Sequence, residues 1–137
     1  MRYVKRLNLI SDGIYEPPIS KGKMRYKNGK IANVKILWDT GCTNTTISKS
    51  VADYIETKIV TENIEVEGVK GKSIEGICYA DLSLYTDNGI HIFTINNAKV
   101  CVADDMNMDV LLGMDIISKG DFSLTKNLEY LTLEFSF

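Results

Sequence analysis

The sequence predicts an all-β fold, a closed or nearly closed barrel with one or two short helices. Three observations point there. Apolar residues alternate with polar ones through stretches such as "LEYLTLEFSF", which is the spacing of a half-buried strand. Turn formers such as Asp12-Gly13 and Asn28-Gly29 separate these runs. Only "TTISKSVADYI" and "MDIISKG" have helical character, too little for a helical layer, so the strands must cover one another.

Taken in order, "RYVKRLNLI" is a first strand, and "EPPIS" is an extended break because each Pro restricts the residue before it. "KMRYKNGKIANVKILW" is a hairpin. Asn28 and Gly29 are expected to supply the two positive φ angles of a type I′ turn, and Ile31, Val34, Ile36 and Trp38 its apolar positions. A short helix follows Ser48 as N-cap, with Val51, Ala52 and Ile55 on one face. "KIVTENIEVEGVKGKSIEGICYADLSLYT" is β-rich, and Gly68, Gly71 and Gly76 mark a mobile hairpin within it. "NGIHIFTINNAKVCVAD" continues the strands. "DVLLGMDII" is a buried strand, a glycine and a helical turn or two; "FSLT" and "LEYLTLEFSF" close the chain.

At 137 residues the chain has the size of a single domain, 1–137, with residues 1–22 read as an N-terminal extension. Sixteen Lys and Arg against eighteen Asp and Glu leave a net charge of −2. That balance argues against nucleic acid or an anionic membrane as partner. Lys21, Lys23, Arg25, Lys27 and Lys30 cluster and are read as a solvated hairpin. Cys42, Cys78 and Cys101 are an odd number without C-x-x-C spacing, which suggests neither a zinc site nor a disulfide framework. No apolar run has signal-peptide or membrane-span length, so a cytoplasmic location is expected.

The unusual element is "ILWDTGCTNTTIS". It drives apolar residues into an acid, and an ionised carboxylate beside a core is costly unless paired or hydrogen-bonded. Asp39-Thr40-Gly41 followed by a polar run, and Leu111-Leu112-Gly113 some seventy residues later, resemble the two motifs of the retropepsin-like (retroviral-type) aspartic proteases. "LLGMDIISKGDFSLT" is similar to the bacterial branch of that family.

The resemblance implies an acid-protease barrel with a flap hairpin. It also implies peptide hydrolysis by two carboxylates that share a proton, behaviour for which aspartic proteases are the standing example. This chain has a single Asp-Thr-Gly, so the second Asp39 would come from another copy in a C2 homodimer. Asp39 would be the acid and base, the Thr40 hydroxyl would bond across the dimer, and the Gly41 carbonyl would receive substrate backbone. Thr43 and Asn44 stand where retroviral members often carry acids. Gly68, Val69, Lys70 and Gly71 would form the flap, and Leu111, Leu112 and Gly113 the second arm of a ψ-shaped motif. The terminal strands of both subunits would interleave in one sheet. A peptide or protein is the expected substrate, with no cofactor and no metal. Two alternatives stand beside this: a noncatalytic dimeric peptide-binding module on the same fold, and a zymogen-like monomer processed near Pro17-Pro18.

Overall fold

The computed structural model of the chain describes residues 1–61 and 73–137. Among the described residues nine strands and two short α-helices run in the order β1 (Arg2–Asn8), β2 (Ile19–Arg25), β3 (Ile31–Trp38), β4 (Thr46–Ser48), α1 (Lys49–Tyr54), β5 (Ser73–Tyr85), β6 (His91–Asp104), β7 (Val110–Leu112), α2 (Met114–Ile117), β8 (Asp121–Asn127) and β9 (Tyr130–Ser136). Six of them close a barrel in the order β2-β3-β7-β4-β6-β5. The remaining three form a separate sheet, β1-β9-β8. Residues 1–22, expected as an extension, therefore contribute β1 and the first half of β2. Among the described residues no helix is long and apolar enough to cross a membrane.

Strand periodicity explains the barrel wall. On β3, Ala32, Val34, Ile36 and Trp38 are buried and the residues between them face outward. Ile31, expected inside, is 48 % exposed, and Ala32 takes the inward position. The cationic side chains of β2 point away from the core, because Ser20, Gly22 and Met24 occupy its inner face. Gly22 is required there, since a Cβ would come within 2.6 Å of the Ser83 carbonyl oxygen.

The β2–β3 turn corrects the sequence expectation. Only Gly29 has a positive φ, +89°. Tyr26 O accepts from Gly29 N–H at 2.9 Å, and Tyr26 N–H donates to Lys30 O at 3.0 Å. The loop thus has three residues with Gly29 in the left-handed position, and is no two-residue type I′ turn. Asn28 is drawn elsewhere: its Oδ1 accepts from Lys30 N–H at 3.0 Å and its Nδ2 donates to Ile55 O at 3.0 Å. That second bond ties the turn to the end of α1.

Helix α1 forms as its sequence dictates. Ser48 Oγ accepts from Val51 N–H at 3.2 Å, the expected N-cap, while Val51, Ala52 and Ile55 are buried. Gly76, expected in a mobile hairpin, lies in β5 at a register shift, where a Cβ would stand 2.4 Å from Val60 O.

The terminal sheet is fastened to the barrel through Trp38. Its indole stacks between Tyr3 at 5.7 Å and Phe122 at 5.9 Å, with Phe135 edge-on at 5.3 Å. Trp38 Nε1–H donates to Ser20 Oγ at 2.7 Å, and Ser20 Oγ–H donates to Tyr3 Oη at 2.6 Å, all buried. The sheet is complete within one chain, because β9 pairs with β1 on one side and β8 on the other. This changes the expected interleaving of terminal strands: both edges of β9 are filled, so a sheet running into a second copy would have to start from β1 or β8.

Replacing Ser20 with Ala leaves the Trp38 donor and the Tyr3 hydroxyl without their shared partner. We expect Ser20→Ala to lower unfolding free energy by about 1–3 kcal/mol, read as an earlier urea midpoint at unchanged slope.

Candidate active site

Asp39 is the first residue beyond β3. Its N–H donates to Leu112 O at 2.9 Å, extending the pairing of β3 with β7. The chain then turns tightly: Cys42 N–H donates to Asp39 O at 3.1 Å, and Gly41 N–H donates to Asp39 Oδ1 at 3.0 Å. The carboxylate is half-buried and caps its own turn, as Asp side chains do. Its burial cost is met by a backbone donor to one oxygen, and the other oxygen has no partner among the described residues. Thr40, Gly41 and Thr43 are exposed, Asn44 is half-buried and Cys42 is buried.

Leu111 and Leu112 belong to β7, which runs between β3 and β4. It is parallel to β3 (Leu37↔Leu111, Trp38↔Leu112) and antiparallel to β4 (Thr46↔Leu111). The two arms and the loop joining them therefore fork around β7. Gly113 follows and touches that loop directly. A Cβ on it would lie 2.7 Å from Cys42 O, 2.8 Å from Asn44 C and 2.9 Å from Thr45 N. Its φ of −96° suits any residue, so the demand is for space alone.

Backbone bonds join the start of α2 to the same loop. Met114 N–H donates to Cys42 O at 2.8 Å and Asp115 N–H to Thr43 O at 3.1 Å. Gly113 N–H donates to Thr45 Oγ1 at 3.0 Å, and that hydroxyl donates to Asp115 Oδ1 at 2.7 Å. Asp115 also accepts from Thr45 N–H at 3.0 Å and from Ile116 N–H at 2.9 Å. Sequence reasoning did not single out Asp115 and missed this anchoring role. The available signal was an acid two residues past the glycine of an apolar strand; its partner is 70 residues distant. Asp109, likewise, uses its carboxylate on Lys35 N–H at 2.8 Å.

The structure thus brings Asp39, Thr40, Gly41, Thr43 and Asn44 together with Leu111, Leu112 and Gly113. Gly68, Val69, Lys70 and Gly71, the expected flap, lie outside the described residues. Among the described residues no group of three or more His, Cys, Asp or Glu side chains is placed to hold a metal ion. A cavity of about 400 Å³ between Lys21, Lys23, Lys35 and Tyr85 is lined by no residue of the Asp39 loop. One of about 300 Å³ includes Thr40 in its wall.

All three cysteines are free and buried. Burial pushes the Cys42 thiol up from its ordinary range, and the nearby charges of Asp39 and Asp115 add to the effect. Burial raises Cys101 as well, and takes Cys78 to about 11.

Two outcomes follow. Gly113→Ala must displace loop backbone, so it should cost about 1–3 kcal/mol in a denaturant titration and shift the amide resonances of residues 39–45. At pH 7.5 the folded chain should resist iodoacetamide at every cysteine and take up three labels in urea, by intact mass. The sign for stability is set by Cys78: its contribution is intact below the ordinary thiol value of 9.0 and fades as pH rises toward about 11.

Solved structures similar to this chain include three aspartic-protease-type proteins. A retropepsin-like aspartic protease from Rickettsia conorii is 14% identical, with 98% of this chain and 93% of that one covered, at a TM-score of 0.48. The retroviral protease-like domain of Ddi1 from Leishmania major is 16% identical, covering 86% and 95%, at 0.50. EIAV protease complexed with the inhibitor HBY-793 is 17% identical, covering 80% and 93%, at 0.49. At such identities the likeness to the Leishmania domain bears on the fold alone, which is retropepsin-like. No curated protein matches the sequence. The family model described as "gag-polyprotein putative aspartyl protease" matches residues 26–119, a span that holds the Asp39 loop, β7 and α2. By that match, over more than half its length, the chain belongs to this family of aspartyl proteases.

Proposed function

We propose that the chain is an aspartic endopeptidase acting as a homodimer, in which Asp39 of each copy supplies half of a catalytic dyad. The observation that carries this is a half-buried carboxylate at the end of β3, held by Gly41 N–H and offering its second oxygen, in a chain of an aspartyl protease family. One carboxylate cannot at once take a proton from water and give one to the leaving nitrogen. Two of them a hydrogen bond apart can, because both cannot ionise together. The protonated member polarises the scissile carbonyl while the anionic member accepts a proton from the attacking water. The tetrahedral intermediate then collapses as a proton passes to the amine. Their titration belongs to the pair.

The neighbouring residues take supporting roles in this reading. Thr40, exposed next to the dyad, reaches across to the second copy. Gly41 presents a carbonyl to an extended peptide, and Thr43 and Asn44 border the same strand of substrate. Gly68, Val69, Lys70 and Gly71 are assigned the role of flap by the sequence resemblance alone. Leu111, Leu112 and Gly113 hold the loop in place from beneath.

The test is cleavage of a library of unstructured peptides, followed by mass spectrometry. The parent should cleave with a bell-shaped pH profile, with activity per chain that rises with protein concentration as dimer forms. Asp39→Asn should lose at least about 100-fold in rate and keep the parent's unfolding curve. An Asn variant that cleaves like the parent would end the proposal. A parent that binds peptides and never cleaves them at any pH would favour the noncatalytic module.

A further inference from the structure

The outer wall of the barrel carries positive charge that its neighbours do not balance. Lys21 and Lys23 point outward on β2, and Lys35 does so on β3. The register sets Lys21 directly opposite Lys35 on one side and Tyr85 on the other. Like charges opposite each other across strands destabilise a sheet, and the chain as a whole has a net charge of −2. Other lysines of the same sequence cluster are matched. Lys30 Nζ lies 3.0 Å from Glu56 Oε1, and Lys27 Nζ sits 5.6 Å over the Tyr26 ring.

Among the described residues no carboxylate lies within ion-pair distance of the Lys21, Lys23 or Lys35 ammonium. Lys21 Nζ donates to Asp87 O at 3.1 Å, and Lys23 Nζ sits 5.1 Å over the Tyr85 ring. Asp109 turns its Oδ2 to Lys35 N–H at 2.8 Å. These residues line the cavity of about 400 Å³. Lysine stems and the Tyr85 ring give it apolar sides beneath a charged rim. Lys21 and Lys23 are two residues apart on one strand, so about 6.6 Å separates them along it. Alternate side chains of an extended peptide have that same repeat. Both edges of β2 are paired, with β3 and β5, so a peptide here lies across the face of the sheet and is held by side chains.

We infer that this groove binds an acidic, extended polypeptide segment. Alternate Asp or Glu side chains meet Lys21 and Lys23, a further acid meets Lys35, and an apolar residue lies against the Tyr85 ring. Charge complementarity of this kind selects partners more than it adds affinity. The segment's place in the substrate rests on the proposed peptidase reading: it would choose the polypeptide at a distance from the scissile bond. Lys35 precedes Asp39 by four residues along the same chain, about 13 Å at strand spacing, a gap that about four residues of extended substrate span. A nucleic acid suits the groove less well, because Asp109 stands in its wall and the net charge is −2.

The test measures binding and cleavage separately. A fluorescent peptide with Glu at alternate positions and no cleavable core is titrated with the full chain by anisotropy, beside its Gln counterpart. The Glu peptide should bind about tenfold more tightly, a margin that shrinks at high salt. Lys35→Gln alone should reduce the margin about threefold, and Lys21→Gln, Lys23→Gln and Lys35→Gln combined should abolish it. Both variants should keep or raise the urea midpoint, because opposed charges have gone. For cleavage, one core sequence is joined to either tail through a Gly-Ser linker. The parent should show a lower KM with the Glu tail at equal kcat, and the triple variant should show equal KM values. Equal affinity of the two tails for the parent, a margin kept by the triple variant, or tighter binding of a single-stranded oligonucleotide overturns the groove's assignment and leaves the Asp39 dyad standing. Equal KM values in the parent overturn its part in substrate choice. Selective binding of the Glu peptide without cleavage at any pH supports the groove and overturns the peptidase reading.

Discussion

The passage of β7 through the fork of β3 and β4 is the constraint on which the site depends. The loop between those strands, residues 39–45, is polar chain beside a packed core. Its N–H and C=O groups must find partners or cost free energy. They find them on β7 and at the start of α2: Leu112 O for Asp39, Met114 N–H for Cys42, Asp115 N–H for Thr43. Gly113 makes this contact feasible, because a methyl group there would fall within 3 Å of three backbone atoms of the loop. Asp39 thus owes its direction to a chain segment some seventy residues away, and a carboxylate on such a frame loses little freedom when it acts.

Trp38 couples this frame to the terminal sheet. It is the last residue of β3, so whatever fixes its indole also fixes the strand end from which Asp39 springs. Tyr3, Phe122 and Phe135 hold the ring on three sides, and Ser20 joins its N–H to the Tyr3 hydroxyl. Because β9 has both edges paired within its own chain, one copy can assemble this support alone. In the proposed homodimer, association would add a second carboxylate to a loop that is already ordered, which lowers the entropy to be lost on binding.

Local signals in the sequence were readable and long-range ones were not. The capping serine of α1 and the apolar face behind it lie within eight residues, and the structure matches them one for one. Alternation located β9 and the wall strand β3, because it reports burial on one face. The Asn28-Gly29 turn misled, since a type I′ assignment assumes that the turn answers only to its own residues, whereas Asn28 is engaged by Ile55. Pairing of β1 with β9 joins Arg2 to Ser136, and no short-range pattern encodes it, so the terminal strands read as unpaired edges awaiting another subunit. Asp115 was overlooked for the same reason: its worth lies in Thr45, and a carboxylate seen without its partner resembles any surface acid. The Asp39 motif was legible because an acid directly after a buried strand contradicts the pattern around it.

The central claim is that two of these acids meet. A crystal structure of the chain with a statine-containing peptide addresses it directly. The account predicts two Asp39 carboxylates related by a two-fold axis, their nearest oxygens about 2.5–3 Å apart, with the statine hydroxyl between them. Carboxylates held on separate faces of a dimer, or a lone chain with the peptide bound elsewhere, would contradict it.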